Sequence, residues 1–161
     1  MNPALALTFR PARPDDAAFL VDLYVTTRDG EFLFLDDAQR RQLLEWQCAA
    51  QQSSYVAQFP GSEHRIIECG EEAAGRIWTA ATIDSLRIVD ISLLPRFRRQ
   101  GIGTAVYRAV LGDAAARQAR VTASVHRSNA ASLRFHAALG FTIAGESEVY
   151  YALAYGDARR D

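Results

Sequence analysis

The stretch that decides the fold runs from residue 88 to residue 104 and reads IVDISLLPRFRRQGIGT. Its first part, Ile88 to Leu94, is rich in β-branched and aliphatic residues, which predicts a strand buried on both faces. Pro95 cannot continue a ladder of backbone hydrogen bonds. From Ile102 onward, apolar residues follow the i, i+3, i+4 spacing of a helix packed on a sheet. The stretch therefore predicts a buried strand, a short turn and a helix in succession.

The turn before this helix has the composition of an anion-binding site. Helix N-termini present unpaired N–H groups and a partial positive charge, and glycine lets a ligand approach the backbone closely. Gly101 and Gly103 stand at the start of the helix, and Arg96, Arg98 and Arg99 add positive charge. We therefore expect the turn to bind a phosphate group. The plain alternative is an ordinary strand-to-helix turn with solvated arginines, because Gly-x-Gly alone is a weak signal.

Two common phosphate-binding motifs do not match this turn. A P-loop needs Gly-Lys-Ser/Thr, whereas the chain contains no lysine and reads Gly-Thr-Ala after Ile102. A dinucleotide-binding turn needs a third small residue where Val106 stands. The motif that does match is R/Q-x-x-G-x-G/A, through Arg98, Gly101 and Gly103. It resembles the acetyl-CoA pyrophosphate loop of the GNAT superfamily of N-acetyltransferases.

A second stretch, NAASLRFHAALGF from Asn129 to Phe141, carries the same resemblance. It is similar to the GNAT pattern N-x-x-A-x-x-[LF]-Y-x-x-x-G-F, which Asn129, Phe135, Gly140 and Phe141 match, while Ser132 takes the place of a small residue and His136 stands where tyrosine is usual. Two motifs in the right order are more specific than either alone, and together they cover about Ile77 to Phe141. The missing tyrosine keeps open the alternative of a non-catalytic acyl-CoA-binding module.

Composition limits the class of protein. A length of 161 residues, of which 49% are hydrophobic, predicts a single domain over residues 1–161. A net charge of −1 argues against nucleic acid or an anionic membrane as a partner. The sequence shows no signal-peptide pattern and no apolar run of membrane-spanning length. Cys48 and Cys69 are too few for a disulfide framework, and no histidine has metal-ligand spacing with them. We expect a reduced, cytoplasmic, metal-free protein, and the choice between monomer and homodimer stays open.

The order of the predicted elements gives an α/β (α+β) fold class. Strands are predicted at Leu5–Pro11, His64–Cys69, Ala73–Thr82, Ile88–Leu94 and Ala119–His126, with a closing pair at Phe141–Ile143 and Glu148–Tyr155, and helices start near Pro14, Asp36, Ile102 and Asn129. The strand-helix-strand unit around the glycine turn predicts two parallel strands. The resemblance implies the GNAT fold: a mixed, mostly antiparallel sheet of six to seven strands, a central parallel pair splayed around acetyl-CoA, and helices on both faces.

The resemblance also implies which residues bind the cosubstrate, acetyl-CoA. Ile91 and Leu93 would pair with its pantetheine arm, and the Leu93 N–H would polarise the thioester carbonyl. The pyrophosphate would be held by backbone amides of Arg98, Arg99, Gln100, Gly101, Ile102, Gly103 and Thr104. Asn129 and Phe135 complete the set, although Asn129 is equally explained as a helix N-cap and Phe135 as a core residue. The implied reaction is direct attack of a primary amine, from a small molecule or a peptide, without a metal.

Two residues are candidates for proton transfer, and each has a structural alternative. His136 would protonate the departing thiolate in place of the tyrosine, or it would only pack and hydrogen-bond locally. Asp90 would act as a general base or order a water, although a structural hydrogen bond explains a carboxylate in a buried strand equally well. His126 and Glu31 fall near the expected cleft and are better explained as solvated polar residues. The acceptor amine has no motif, so the sequence does not identify it.

Overall fold

The computed structural model describes residues 6–156 and contains seven strands and four helices in the predicted order. The strands are β1 (Leu7–Pro11), β2 (Glu63–Cys69), β3 (Glu72–Ala81), β4 (Ser85–Leu93), β5 (Arg120–His126), β6 (Thr142–Glu146) and β7 (Tyr150–Tyr155), and the helices are α1 (Ala17–Thr27), α2 (Asp37–Gln58), α3 (Ile102–Ala116) and α4 (Ala130–Leu139). Short 3₁₀ turns at Pro14–Asp16 and Pro95–Phe97 follow β1 and β4. Leu5, placed in the first strand by the sequence analysis, lies outside the described residues.

All seven strands belong to one sheet, in the order β1-β2-β3-β4-β5-β7-β6. The predicted parallel pair is confirmed: β4 and β5 pair in parallel from Ser85 opposite Arg120 to Ile88 opposite Ala123. The pairs β1–β2, β5–β7 and β6–β7 are antiparallel. The α/β class and a mixed seven-stranded sheet are therefore confirmed.

The central strand starts earlier than the sequence analysis predicted. Ser85 already belongs to β4, three residues before Ile88, because Thr82 N–H donates to the Ser85 carbonyl at 2.8 Å and closes a tight turn. Asp84 and Ser85 are polar, so the hydrophobic pattern does not reveal where the strand begins. Their side chains form hydrogen bonds with Thr82 Oγ1 within the turn. Boundary residues of this kind follow turn chemistry and not hydrophobic periodicity.

The contacts divide the chain into two compact units. Among the described residues, one unit contains 6–78 together with Asp90–Gly103, and the other contains Thr79–Val89 together with 104–156. In the first unit, α1 and α2 bury a cluster of Tyr24, Leu44 and Cys48. Helix α2 begins where the Asp36 carboxylate accepts from the Gln39 N–H at 2.8 Å, the expected N-cap.

The second unit buries alternate residues of β5 and one face of α3. Val121, Ala123 and Val125 are buried, as the two-residue period of a strand requires. Helix α3 buries Val106 and Val110 one turn apart. This unit contains α3 from Thr104 onward, and the first unit contains the glycine turn with the first two residues of the helix.

Candidate active site

The glycine turn has a backbone shape that opens the start of α3. Arg99 and Gly101 adopt left-handed conformations, with φ of 58° and 80°, and α3 begins at Ile102. No heavy atom lies within 4 Å of the position a Gly101 Cβ would take, so glycine is required there for its backbone conformation and not for space. Gly103 lies inside the first turn, whose N–H groups have no intrahelical acceptor. The turn therefore offers a row of amide donors at the positive end of a helix.

Three polar side chains around this turn, those of Arg96, Arg98 and Gln100, form hydrogen bonds with other residues of the chain. Arg98 donates from Nε to the Leu93 carbonyl at 2.8 Å, and its own N–H donates to the Pro95 carbonyl at 3.1 Å. Arg96 pairs with Glu72 at 3.0 Å. Gln100 donates to the Arg96 carbonyl at 2.5 Å. Arg98 thus ties the end of β4 to the turn, and the remaining amides of the predicted pyrophosphate site follow it in the chain.

The end of β4 is approached very closely by β3. A Cβ on Gly75 would lie 2.1 Å from the Ser92 carbonyl oxygen and 2.8 Å from Leu93 Cδ2, so only glycine fits there. The sequence analysis placed Gly75 in a strand without giving it a role. A glycine inside a strand pattern is a signal of close backbone approach. Gly75 therefore helps to position Ser92 and Leu93, at the end of the predicted pantetheine-binding segment.

A cavity of about 180 Å³ lies beside the same strand. Its polar lining consists of Tyr24, Thr27, Arg28, Gln51, Arg76, Asp90 and Ser92. Asp90 Oδ2 accepts from Arg76 Nε at 2.8 Å and lies 2.6 Å from Arg76 Nη2, which also donates to Gln51 Oε1 at 2.5 Å. The structural hydrogen bond that was the alternative for Asp90 is therefore present, and its role as a base stays a prediction.

His136 is buried and both of its ring nitrogens are bonded. Nδ1 lies 2.8 Å from the Ser132 carbonyl oxygen, which only accepts, so Nδ1 carries the proton. Burial lowers the pKa of His136 below its ordinary value of 6.5, so the ring is neutral at pH 7. Nε2 then accepts from the Tyr107 hydroxyl at 2.8 Å. The local packing and hydrogen bonding expected of a structural histidine are therefore present, and the role of His136 as an acid stays a prediction.

The rest of the second motif builds helix α4. Asn129 Oδ1 accepts from the Ser132 N–H at 3.1 Å, which is the N-cap that the sequence analysis weighed against cofactor contact. Phe135 is partly buried and packs edge-on against Tyr107, with ring centres 5.2 Å apart. Gly140 ends the helix with φ of 98°. The motif residues thus have structural roles, and cofactor binding by Asn129 and Phe135 stays a prediction.

The two weaker candidates are exposed, as expected. His126 Nδ1 accepts from the Ser128 N–H at 3.2 Å at the end of β5. Glu31 forms an exposed ion pair with Arg28 at 3.4 Å and does not line the cavity. Neither geometry points to catalysis.

The sequence analysis missed Gln51, Arg76, Tyr107 and Gly75. One signal was available for Arg76: it is the only charged residue of β3 after Glu72, the first residue of the strand, and buried charges in proteins are normally paired. Nothing in the local sequence indicates that Gln51 of α2 reaches it across 25 residues.

Comparison with known structures relates this fold to several solved proteins. PaiA N-acetyltransferase from Thermoplasma acidophilum, in complex with coenzyme A, has a TM-score of 0.68 at 10% identity and covers 92% of this chain and 98% of its own. Naa50 from Arabidopsis thaliana, in complex with the bisubstrate analogue CoA-Ac-MVNAL, has a TM-score of 0.61 at 15% identity, with 94% and 99% covered. The ribosomal-protein-S18-alanine N-acetyltransferase from Escherichia coli has 0.62 at 18% identity, with 92% of each chain covered.

Fold and glycine turn together define the class of acetyl-CoA-dependent N-acetyltransferases. The comparison with curated protein sequences finds no match. The model of the Acetyltransferase (GNAT) family matches residues 20–141, and the chain belongs to this family. The predictions of the family, of the enzyme class and of acetyl-CoA as cosubstrate are therefore confirmed.

Within residues 6–156, no three His, Cys, Asp or Glu side chains are grouped so that they could hold a metal ion. No helix in that same range is both long and apolar enough to cross a membrane.

Proposed function

We propose that this protein transfers the acetyl group of acetyl-CoA directly to a primary amine of a small molecule or a peptide. The observation that carries the proposal is the glycine turn, which opens the N-terminus of α3 directly after the central strand. Acetyl-CoA, when bound, supplies the acetyl group as a thioester whose sulfur leaves as a thiolate. Two solved relatives support peptide and protein amines as acceptors, since one is bound to an analogue containing a peptide and the other is a ribosomal-protein alanine N-acetyltransferase.

The residues present fit the predicted cosubstrate. The amides from Arg99 to Thr104 would hold the pyrophosphate, because they precede or belong to the first turn of α3. The Arg98 amide already donates to Pro95, so its contribution would come from the guanidinium or from the turn that it stabilises.

The central strand supports a pantetheine site at Ile91 and Leu93. The parallel register runs only from Ser85 to Ile88, whereas β4 continues to Leu93 and β5 to His126. Two hydrogen bonds delimit the stretch over which β3 and β4 run side by side: Thr82 N–H to the Ser85 carbonyl, and Leu94 N–H to the Ala74 carbonyl. Between these bonds the chain has ten residues on the β4 side (85–94) and nine on the β3 side (74–82), as in a β-bulge. Irregular backbone of this kind needs hydrogen-bond partners, and the amides of pantetheine would supply them.

Asp90 and His136 are the two side chains proposed for proton transfer. Asp90, which accepts a hydrogen bond from Arg76, would also accept one from the amine or from a water in the cavity. As an acid, His136 would have to pass a proton through its bond with the Tyr107 hydroxyl, because its Nδ1 proton is bonded to the Ser132 carbonyl. Its lowered pKa supports the packing alternative, in which water protonates a thiolate whose pKa is about 8.5.

Three further expectations stay predictions. A single domain over residues 1–161 is supported by the family model, which spans residues of both compact units. A cytoplasmic location is supported by Cys48 and Cys69, which are buried free thiols. A homodimer is the third, and its test is the molecular mass in solution.

Replacing Gly103 with glutamate tests the proposed function. The substitution puts bulk and a negative charge on the first turn of α3, so acetyl-CoA binding measured by calorimetry should be lost. Gly112→Glu is the matched control, because Gly112 lies on the same helix with no heavy atom within 4 Å of its Cβ position.

Unchanged affinity in the Gly103 variant would contradict the assignment of the turn. A panel of amines with a thiol-detecting assay separates the enzyme from a non-catalytic binding module, because only the enzyme releases free coenzyme A when an amine is added.

A further inference from the structure

The cavity beside β4 is lined by two arginines that each have an unsatisfied buried donor. Arg76 is 3% exposed, and among residues 6–156 its Nη1 atom has no hydrogen-bond partner. The other two nitrogens of this guanidinium are bonded to Asp90 and Gln51. Within the described part of the chain, Arg28 Nε is likewise buried and without a partner. Buried donors left unpaired cost free energy, so a ligand that accepts from them is favoured at this place.

The charge of the lining indicates the charge of that ligand. Arg28, Arg76 and Asp90 are the charged residues of the lining, so together they carry a charge of +1. Glu31 faces Arg28 from the exposed side at 3.4 Å and lies outside the lining. A group with one negative charge balances this site, and a phosphate dianion would overcharge it.

The size and the neutral polar groups narrow the chemistry further. A volume of about 180 Å³ lies below the range of roughly 300–1,000 Å³ that drug-sized ligands occupy, so the cavity fits a short polar group. A guanidinium edge binds a planar carboxylate well, and Gln51, Ser92 and Tyr24 offer neutral hydrogen-bonding groups around it.

We propose that the acceptor amine carries a carboxylate, and that Arg76 and Arg28 bind this carboxylate in the cavity beside Asp90. The inference rests on the proposed function, because it names the substrate class of that same site. In it, Arg76 and Arg28 are specificity-determining residues, and Asp90 faces the amine end of the substrate. The carboxylate comes either from a free amino acid or from an acidic side chain near the N-terminus of a peptide.

Matched pairs of acceptors test the proposal. Each pair contains the same amine with a carboxylate or with a carboxamide: free amino acids against their α-amides, and amidated peptides with Glu or Gln at position two. Thiol release should show kcat/KM at least about tenfold higher for the carboxylate member of one set, since hydrogen bonds to charged groups are among the stronger ones. The set that shows the preference identifies the source of the carboxylate. A third pair, phosphoethanolamine and ethanolamine, tests whether kcat/KM is higher for an acceptor that carries a phosphate.

A substitution of Arg28 tests the residues independently of turnover. Arg28→Gln removes a charge from a side chain that is 36% exposed, so the fold should persist. It should weaken calorimetric binding of the preferred carboxylate to the protein saturated with coenzyme A about tenfold and leave affinity for coenzyme A unchanged. Arg41→Gln is the control, because Arg41 is an exposed arginine of α2 that pairs with Asp22 and Glu45 and does not line the cavity.

The outcomes separate this inference from the proposed function. If the wild-type protein neither binds coenzyme A nor releases thiol with any amine, the proposed function is overturned. Turnover of amines with equal kcat/KM for carboxylate and carboxamide members in both sets, or a preference for phosphoethanolamine over ethanolamine, would overturn the inference alone. So would equal carboxylate affinity in the Arg28 and Arg41 variants. Arg76→Gln is the less suitable variant, because it breaks a buried ion pair and can unfold the protein.

Discussion

Lowering the pH should destabilise this protein through one histidine, His64 of β2. Its ring stacks on Trp78, with centres 4.2 Å apart and planes 16° apart. Burial lowers the pKa of His64 from 6.5 to about 4, and the positive charge of Arg76 acts in the same direction. In the part of the chain that the structure describes, Nε2 is buried without a hydrogen-bond partner. The folded state therefore holds this ring neutral.

The sign and the size follow from this difference in pKa. The unfolded chain binds a proton at His64 below pH 6.5, whereas the folded protein resists it down to about pH 4, so stability falls as the pH falls through this window. At about 1.36 kcal/mol for each pKa unit, going from pH 7 to pH 5 should cost about 2 kcal/mol. Asp16 does not titrate in this range, because its hydrogen bonds with Arg10 lower its pKa to about 2.

Urea unfolding of the wild type and of two variants at pH 7 and pH 5 measures this contribution. His64→Phe keeps a ring against Trp78 and His64→Gln does not, so the two variants should differ in stability at each pH. Neither titrates, so both should lose about 2 kcal/mol less than the wild type between the two pH values. His136 is present in all three proteins, and its contribution cancels. A loss in both variants as large as in the wild type would show that His64 is not held neutral by the fold.

Two further substitutions test the site. Gly75→Ala should lower the free energy of unfolding by about 1–3 kcal/mol, because the new Cβ meets the Ser92 carbonyl oxygen at 2.1 Å. Gly112→Ala, in open space, should raise it by up to about 1 kcal/mol in the same urea titrations. An unchanged free energy of unfolding in Gly75→Ala would mean that β3 can shift away from β4. His136→Ala should reduce stability and leave the shape of the kcat–pH profile unchanged. Two results together would instead establish His136 as the acid: activity retained at high pH in His136→Tyr, and a large loss of kcat in His136→Ala.

Local sequence predicted the fold and the glycine turn because their signals are short in range. Strand β5 alternates buried and less buried residues, and the strand–turn–helix around Gly101 contains its own proline, glycines and helical spacing. The parallel direction of β4 and β5 followed from the helix between them. The N-cap at Asn129 was recognisable from its place before a helix.

The groups around the candidate catalytic residues were not predictable in the same way, because they come from distant parts of the chain. Arg76 reaches Asp90 and Gln51, which are 14 and 25 residues away. Tyr107 reaches His136 across 29 residues. Each partner looks ordinary in its own segment, so a single sequence gives a motif for the backbone of the site and none for the side chains that set its charge.

The last residues of β4 connect the two proposals. Successive side chains of a strand point to opposite faces, so Asp90 and Ser92 share one face and Ile91 and Leu93 share the other. Asp90 and Ser92 line the cavity proposed for the acceptor, and Ile91 and Leu93 form the segment proposed for pantetheine. Arg76 holds Asp90, Gly75 admits the Ser92 carbonyl, and Arg98 binds the Leu93 carbonyl. These contacts fix the strand that would align amine and thioester, and a fixed alignment of the two reactants is the condition for catalysis by proximity.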